Sequence, residues 1–286
     1  MTDDVGPRTL TPSDVRSLLD RYGLAPRRAD GQNFVVDPNT VRRIVAAARI
    51  GPDDTVLEIG PGLGSLTLPL AHAAARVVAI EIDSGLAEVA RDVMAELGNV
   101  DVIHADAMQV DLDAVAAPGT RLVANLPYNV ATPLLMHALD SEHVVDAFVM
   151  VQREVGERWV AGPGAGAYGA VSVKIAAAAD ARIELTIPRA VFHPVPNVDS
   201  VMVRVTRRAG LSRVERRRLA VVVDAAFARR RKTLRNNLRA AYGDAGEEAL
   251  VAAGIDPGLR AEVLDLDDFL TLAQHLPDVG VAGGPA

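Results

Sequence analysis

The chain has 286 residues, of which 49% are apolar and 23% charged, and it contains no cysteine. This composition is typical of a globular protein, long enough for one α/β domain and a smaller second unit, and it excludes disulfides and thiolate metal sites. The net charge of −7 argues at first against a nucleic-acid partner. The N-terminus lacks the apolar core of a signal peptide, and no apolar stretch is long enough to span a membrane, so we expect a soluble, cytoplasmic protein.

The charge is unevenly distributed along the chain. Between Arg207 and Arg239 there are twelve Arg and Lys residues against two acidic ones, so this segment carries +10 and the rest of the chain −17. An acidic body with one strongly basic segment is a directional pattern that favours a nucleic-acid partner. The alternative is that the basic residues form a solvated helix face.

The first half of the chain predicts a helix at residues 13–22 and then a repeating α/β pattern. Asp37 is the expected N-cap of a helix that begins at Pro38 and ends at Ala48. Strands are then predicted at 55–59, 76–82, 100–104, 121–124 and 144–151, with helices at 66–74, 84–97 and 132–139. Near-continuous apolar strands that alternate with helices indicate a parallel sheet covered on both faces.

The second half predicts a change of architecture. A helix at 168–179 is followed by strands at 182–187 and 200–207, whose short connection favours antiparallel pairing. A mostly parallel sheet that ends in an antiparallel hairpin is the Rossmann-like arrangement of class I methyltransferases rather than of dehydrogenases. Helices follow at 212–228, 234–242, 246–253 and 266–275. We therefore predict an N-terminal arm (1–30), an α/β catalytic domain (31–208), a small all-α domain (209–276) and a disordered tail (277–286).

A glycine-rich turn follows the first strand of the predicted sheet, in the sequence Glu58-Ile59-Gly60-Pro61-Gly62-Leu63-Gly64. Alone it is compatible with a dinucleotide site or with a tight strand-to-helix turn. The dinucleotide spacing G-x-G-x-x-G is not met, and Pro61 stands where an amide would be needed to hold a phosphate.

Acidic residues end the next two predicted strands. Glu81 is placed to accept hydrogen bonds from a ribose diol, and Asp106 to accept from an adenine amino group while Met108 packs on the ring. Each could instead be a helix cap or a solvated charge. Together they lie where open α/β sheets bind ligands, and with the class I arrangement they predict a site for S-adenosylmethionine. Glu58 is expected to orient the glycine loop or the cofactor's amine.

The sequence Asn125-Leu126-Pro127-Tyr128 ends the fourth strand. An exocyclic adenine amine is a poor nucleophile because its lone pair is delocalised into the ring. The Asn125 side-chain oxygen and the Leu126 carbonyl, bonded to its two N–H groups, would return that lone pair towards a methyl group. Pro127 would stiffen the turn, and Tyr128 would stack on the base. The alternative is an ordinary strand-ending turn.

Two further segments have candidate roles. Phe192, in a proline-rich loop, is either a second stacking residue or part of the core. A basic run and its surroundings would contact several RNA phosphates, so that binding weakens steeply with salt. Its candidate residues are Arg229, Arg230, Arg231, Lys232, Arg235 and Arg239.

The motifs occur in an order that resembles the ribosomal RNA adenine N6-dimethyltransferases, in the KsgA/RsmA branch that acts on small-subunit rRNA. The resemblance runs from Gly31 to His275 and is carried by residues 31–35, 58–64, 125–128, 192–200 and 230–237. It implies S-adenosylmethionine contacts from Asn33, Val35, Gly60, Glu81, Asp106 and Asn125, and we expect Gly62 of the glycine turn to contact the cofactor as well. It also implies that Asn125, Leu126 and Tyr128 hold the target base and that Phe192 closes over it.

The resemblance further implies dimethylation of two adjacent adenosines in the 3′-terminal hairpin loop of small-subunit (16S) rRNA, and a role in small-subunit ribosome biogenesis. The protein would act on rRNA or the immature subunit as a monomer, without a metal and without a membrane. A large-subunit rRNA methyltransferase of the macrolide-resistance type and a mainly non-catalytic assembly factor remain alternatives. A nicotinamide-dependent oxidoreductase is disfavoured by the glycine spacing.

Overall fold

A computed structural model describes residues 8–27 and 31–277, and their contacts divide the chain into two compact units. We call residues 8–156 and 182–206 the sheet unit, and residues 157–181 and 207–277 the helical unit. The predictions that concern residues 1–7, 28–30 and 278–286, including most of the C-terminal tail, lie outside the described residues.

Nine strands, two of them only two residues long, are present in the described part of the chain. In chain order they are β1 (Phe34–Val35), β2 (Thr55–Ile59), β3 (Arg76–Glu81), β4 (Val100–His104), β5 (Thr120–Asn125), β6 (Val144–Gln152), β7 (Ala179–Ile187), β8 (Phe192–His193) and β9 (Ser200–Arg207).

Seven of these strands form one sheet in the order β4-β3-β2-β5-β6-β9-β7. The five strands from β2 to β6 pair in parallel, and β9 pairs antiparallel with β6. The last two predicted strands are neighbours in this sheet, joined by residues 188–199 without a crossover helix. The predicted class I methyltransferase arrangement is confirmed.

Twelve α-helices are present among the described residues, and local capping signals set several of their ends. Their bounds are α1 (Pro12–Arg21), α2 (Pro38–Ala48), α3 (Thr67–Ala73), α4 (Ser84–Met94), α5 (Leu112–Val115), α6 (Ala131–Asp140), α7 (Arg153–Val160), α8 (Ala170–Ala178), α9 (Arg213–Phe227), α10 (Leu234–Tyr242), α11 (Ala245–Ala252) and α12 (Leu266–His275). Asp37 caps α2 by accepting from the Thr40 amide, as predicted. Asp83 caps α4 by accepting from two amides of its first turn.

A small two-stranded sheet was not predicted. β1 and β8 pair antiparallel, with Phe34 opposite His193 and Val35 opposite Phe192. The Val36 amide extends the pairing by donating to the Val191 carbonyl at 2.9 Å. Two-residue strands carry no readable alternation, so the sequence alone gives no signal for this pair.

The helical unit differs from the predicted domain bounds, because residues 157–181 belong to it rather than to the α/β domain. Val173 and Ala177 of α8 are buried in the same apolar cluster as Leu219 and Val223 of α9. Phe269 of α12 stacks on Phe227 in this cluster, with ring centroids 5.8 Å apart. Helix α8 lies in the chain between two segments of the sheet unit. Only its packing shows that it belongs to the helical unit, and chain order does not reveal that packing.

Candidate active site

The glycine turn lies at the carboxyl end of β2 and bends in a way that favours glycine. Gly60, Gly62 and Gly64 have φ angles of 74°, 56° and 89°. The Gly60 amide donates to the Ile80 carbonyl of the neighbouring strand at 2.9 Å. A Cβ atom on Gly62 would stand 2.8 Å from Cε1 of Phe34, so the ring packs directly on the turn.

Glu81 fixes the glycine turn from the end of β3. Its Oε2 accepts from the Gly62 amide and its Oε1 from the Asp83 amide, both at 3.0 Å. Burial raises the pKa of this carboxyl group, while the backbone donors partly offset the rise. Glu81 therefore joins the turn to the start of α4, and each oxygen retains a lone pair for a ligand.

Glu58, in the carboxyl-terminal half of β2, is buried close to Glu81. Its Oε2 has no hydrogen-bond partner among the described residues. Burial, together with the nearby Glu81 carboxylate, raises the pKa of Glu58 to about 8. A buried carboxyl group with an unpaired oxygen is costly, and the cost falls when a ligand supplies a positive charge or a donor.

Asp106 shapes the turn after β4. Its Oδ1 accepts from the Met108 amide and its Oδ2 from Nε2 of Gln109, both at 2.9 Å. Ile82 is 65% exposed and Met108 40% exposed. These apolar side chains border the same cavity as Asp106, so an acceptor and two apolar surfaces meet there.

One cavity of about 500 Å³ connects these residues at the carboxyl ends of β2, β3, β4 and β5. All nine residues that the sequence assigned to the cofactor line it: Asn33, Val35, Glu58, Gly60, Gly62, Glu81, Asp106, Met108 and Asn125. Parallel strands end at the same edge of a sheet, so residues far apart in sequence converge there.

One polar atom of the Asn125 side-chain amide has a hydrogen-bond partner, and the other has none among the described residues. Its Nδ2 donates to the Asn33 carbonyl at 2.9 Å. A carbonyl can only accept, so this bond fixes the amide orientation and leaves Oδ1 as the group turned elsewhere. Oδ1 is buried and has no hydrogen-bond partner among the described residues. The amide is therefore set as an acceptor for a ligand.

The rest of the Asn125–Tyr128 turn is tied to the sheet on both sides. The Leu126 amide donates to the Met150 carbonyl at 3.1 Å, and Pro127 lines the cavity. The Tyr128 hydroxyl lies 2.7 Å from Oγ of Ser200. Burial raises the pKa of Tyr128, so the phenol stays neutral at physiological pH. The side chains of Leu126 and Tyr128 are not part of the cavity lining.

Phe192 does not have the exposed position that stacking on a base requires. It is 2% exposed and belongs to an apolar cluster with Val35, Val41 and Ile187. Because β8 pairs with β1, its alternate side chains point to opposite faces, and the exposed one is His193. This burial favours the core alternative, and the stacking of Phe192 on the target base stays a prediction.

The basic run lies in the helical unit, and all six of its predicted RNA-binding residues are exposed: Arg229, Arg230, Arg231, Lys232, Arg235 and Arg239. Buried Asn237 shapes the loop between α9 and α10, because its Nδ2 donates to the carbonyls of Ala226 at 2.7 Å and Arg229 at 3.2 Å. Asn237 therefore caps the end of α9 from inside the unit.

The six basic side chains differ in their partners. Arg235 forms an ion pair with Glu247 at 2.9 Å, and Arg239 one with Asp244 at 3.0 Å. Arg230 donates to the Gly166 carbonyl at 2.9 Å and Arg229 to the Asn236 carbonyl at 3.3 Å. The side chains of Arg231 and Lys232 make no hydrogen bond or ion pair with another described residue.

Comparison with known proteins identifies the family. The sequence profile of the family described as "Ribosomal RNA adenine dimethylase" matches residues 23–278. The chain belongs to the ribosomal RNA adenine dimethylase family. The prediction from the motifs is confirmed at the levels of family, enzyme class and cofactor. This adenine dimethylase is a methyltransferase whose methyl donor is S-adenosylmethionine.

Two relatives of this adenine dimethylase carry the name ribosomal RNA small subunit methyltransferase A. The relative from Thermobifida fusca is 49% identical, and the alignment covers 96% of this chain and 99% of the relative. The relative from Streptomyces coelicolor is 49% identical, with 93% of this chain and 96% of the relative covered. Identity at this level over nearly the whole chain extends the family assignment to both units.

Solved structures agree with the class I fold. A dimethyladenosine transferase from Plasmodium falciparum is 26% identical with a TM-score of 0.70, covering 82% of this chain and 94% of that chain. The 23S rRNA methyltransferase ErmE is 27% identical with a TM-score of 0.63, covering 85% and 99%. Within the described residues, no helix is long and apolar enough to cross a membrane.

The cavity of this adenine dimethylase fits S-adenosylmethionine. The cofactor carries a sulfonium and an ammonium group, and the cavity presents the buried carboxyl groups of Glu58 and Glu81. The Phe34 ring packs on Gly62, so a side chain at this position would collide with a residue of the cavity wall. Asp106, with Ile82 and Met108 beside it, offers an acceptor and apolar surfaces to an adenine ring.

Several residues of the adenine dimethylase's cavity were not predicted individually. Phe34 was inside a recognised motif, but only packing shows that its ring lies against Gly62. Asp83 follows Glu81 by two residues, and its position before Ser84 is an N-cap signal that would have identified it. Ile82 lines the cavity as a large exposed apolar residue, which the sequence does not distinguish from a strand end.

Proposed function

We propose that this adenine dimethylase adds two methyl groups to the N6 amine of each of two adjacent adenosines in the 3′-terminal hairpin loop of small-subunit rRNA. Its relatives at 49% identity carry the name ribosomal RNA small subunit methyltransferase A, which supports the choice of subunit. The structural observation that carries the chemistry is the buried, unpartnered Oδ1 of Asn125, held in place by the Asn33 carbonyl.

Asn125 and Leu126 would act on the nucleophile. In the first transfer the Asn125 Oδ1 and the Leu126 carbonyl would each accept from one N–H of the N6 amine, which favours a tetrahedral nitrogen and directs its lone pair out of the ring. In the second transfer the monomethylated amine has one N–H left, so one of these acceptors would hold it. Pro127 limits the flexibility of the turn that carries both acceptors. Tyr128 stacks on the base and orients it, a contact worth about 1–3 kcal/mol. The main catalytic contribution is the positioning of the amine.

The transfer step needs no strong general base. Bound S-adenosylmethionine supplies an electrophilic methyl carbon attached to a positively charged sulfur. Held by Asn125 and Leu126, the amine would displace the neutral thioether from that carbon as the new N6–carbon bond forms. The methylated nitrogen then loses a proton to water, because it becomes acidic only after the new bond has formed. Asn125 remains a hydrogen-bond acceptor throughout.

Glu81, Asp106 and Gly62 would hold the cofactor. The Glu81 carboxylate, already oriented by two backbone amides, accepts from a ribose diol. Asp106 accepts from the adenine amine, with Met108 packed on the ring. Glu58, buried with an unpaired oxygen, compensates the positive charge of the ligand. Asn33, Val35 and Gly60 complete the lining.

The basic run would bind the RNA backbone. Arg229, Arg230, Arg231 and Lys232 present four cations on one loop, and Arg235 and Arg239 extend them along α10. The ion pairs of Arg235 and Arg239 are exposed and therefore weak enough to exchange for phosphates. We propose that the protein acts as a monomer in the cytoplasm on an immature small subunit and thereby takes part in its biogenesis.

The large-subunit alternative is less well supported. The 23S rRNA methyltransferase ErmE is 27% identical, against 49% for relatives named after the small subunit. The catalytic turn does not distinguish the two substrates. A purely non-catalytic assembly factor is disfavoured by a cavity in which all nine expected cofactor residues converge.

Methyl transfer to unmethylated subunits tests the proposed substrate. Labelled S-adenosylmethionine is incubated with the protein and either small or large ribosomal subunits that lack the modification, and the labelled base is mapped. We expect label in the small-subunit 3′-terminal hairpin and none in the large subunit. Label in large-subunit rRNA would support the resistance-type alternative instead. Absence of label from both, with cofactor still bound, would support the assembly-factor alternative.

A further inference from the structure

Ser200 is the last residue of the proline-rich motif 192–200, and the proposed function assigns it no role. It is the first residue of β9, is fully buried, and pairs with Gln152 of β6 in the sheet. Its Oγ lies 2.7 Å from the Tyr128 hydroxyl. This is the only side-chain hydrogen bond of Ser200 to another of the described residues. The sheet fixes the serine, and the serine in turn holds the tip of the Tyr128 ring.

The other end of the catalytic turn is already fixed without Ser200. Asn125 is held by the Asn33 carbonyl and Leu126 by the Met150 carbonyl. Tyr128 is the last residue of the turn, and its side chain keeps two rotatable torsions beyond the backbone. A hydrogen bond at the ring tip limits both torsions. The ring is therefore already ordered before a base stacks on it, and less conformational entropy is lost when stacking occurs.

We propose that Ser200 is a positioning residue for methyl transfer, which holds the Tyr128 ring in the orientation on which the target adenine stacks. The inference rests on the stacking role of Tyr128 in the proposed function. Neither Ser200 nor Tyr128 lines the cofactor cavity, so the bond between them acts on the RNA base and not on cofactor affinity. Without it the ring samples other orientations, and fewer bound substrates are aligned for transfer.

A double-mutant cycle tests this role. The rate constant kcat and the KM for unmethylated small subunits are measured for Ser200→Ala, Tyr128→Phe and the double variant, and cofactor affinity is measured by calorimetry. Loss of one neutral hydrogen bond predicts that each single variant lowers kcat by about threefold to tenfold. The double variant should lose no more than the larger single effect, because both changes remove the same bond. Cofactor affinity should stay unchanged.

Two further variants separate positioning from stability. Ser200→Thr keeps the hydroxyl and should retain kcat within about twofold of the wild type, as the conservative replacement of a hydrogen-bond group. Ser141→Ala removes another buried serine of the sheet unit, whose hydroxyl donates to Asp113 and not to the catalytic turn. It should lower thermal stability while kcat stays unchanged.

The proposal is overturned by any of three outcomes. These are independent effects that multiply in the double variant, full activity in Tyr128→Phe, or a Ser200→Ala variant that loses stability but keeps kcat. Tyr128→Phe leaves the buried serine intact, so the bond is tested even where Ser200→Ala folds poorly. Mapping the methylated base with the wild-type protein in the same assay tests the proposed function separately, since that result does not depend on Ser200.

Discussion

Glu58 connects burial to the pH at which the cofactor binds. The carboxyl group is buried beside Glu81, and burial raises its pKa to about 8. In the free protein below pH 8 the group is therefore mostly protonated. A ligand with a net positive charge favours the ionised form, so binding lowers the pKa and releases a proton. Glu81 is the charged neighbour that opposes ionisation in the free protein.

This linkage predicts that S-adenosylmethionine affinity rises with pH and levels off above about pH 8. Below that pH the proton must leave before the charged pair forms, and above it Glu58 is already ionised. Calorimetry of the wild type and of Glu58→Gln measures the effect. The cofactor's own amine titrates equally in both, so the ratio of the two affinities isolates Glu58. A ratio that does not change between pH 6 and 9 would contradict the assignment.

Gly62 is a position in the glycine turn where a side chain would be costly. Its φ of 56° and the 2.8 Å approach of Phe34 leave no room for a Cβ atom. We expect Gly62→Ala to weaken cofactor binding by about tenfold or more. Gly98→Ala is the matched control, since nothing lies within 4 Å of its Cβ position. Equal affinities of the two variants in calorimetry would disprove the close-packed turn.

At the scale of elements, two arginines close the end of α2. Arg204 on β9 donates to the Ala47 carbonyl, and Arg121 on β5 donates to the Ala48 carbonyl at 3.0 Å. Both guanidinium groups also bond Asp146, each at 2.9 Å. The last carbonyls of a helix have no partners within it, and here strands that are distant in sequence supply them.

Arg204 is buried, so its removal should destabilise the sheet unit. Arg204→Ala leaves Glu184 and the Ala47 carbonyl without this buried donor, which predicts a loss of about 3 kcal/mol in the free energy of unfolding. Arg76→Ala breaks the exposed Arg76–Asp101 pair and should cost less than about 1 kcal/mol. Urea denaturation followed by circular dichroism compares them, and equal midpoints for the two variants would refute a structural role for Arg204.

Signals within the sequence predict element positions well where they are local. The Asp37-Pro38 pair gives the start of α2, and the strand from Ser200 to Arg207 is predicted with its observed bounds. The arginine side chains that donate to the last carbonyls of α2 come from strands more than 70 residues away. The pairing of β1 with β8 depends on contacts between two-residue segments. Contacts between segments so far apart in the chain leave no pattern in the local sequence.

The same distinction between local and long-range signals applies to the candidate site. The convergence of the residues that the sequence assigned to the cofactor could be predicted, because parallel strands end at one edge of a sheet and strand order alone brings Glu58, Glu81 and Asp106 together. The side on which Phe192 faces depends on the pairing of β8, and the partner of the Tyr128 hydroxyl depends on the register of β9. Neither register can be obtained from a single sequence.

At the scale of the whole molecule, charge is separated along the chain. The segment from Arg207 to Arg239 carries +10 in a protein of net charge −7. A negatively charged RNA is attracted to the segment and repelled by the rest, so the segment should dominate both affinity and orientation. The acidic remainder also disfavours non-specific adhesion of RNA elsewhere on the surface.

Arg231 and Lys232 provide the test of this charge separation. Neutralising both as Arg231→Gln and Lys232→Gln should weaken RNA binding and reduce the slope of log affinity against log salt by about 1.4–1.8, as expected for two lost phosphate contacts. Cofactor affinity should not change. Replacing Arg76 and Arg91 of the sheet unit by Gln removes the same charge as a control. If both pairs alter the salt slope equally, net charge and not the basic run governs binding.

The most direct measurement of the central claim compares the wild type with Asn125→Ala on unmethylated small subunits, by mass spectrometry of the 3′-terminal rRNA fragment. We expect N6,N6-dimethyladenosine at two adjacent positions with the wild type. At saturating cofactor we expect a rate at least about 100-fold lower with Asn125→Ala, while RNA binding persists. Equal dimethylation by both proteins would contradict the role of Asn125, and methylation at another base would contradict the proposed substrate.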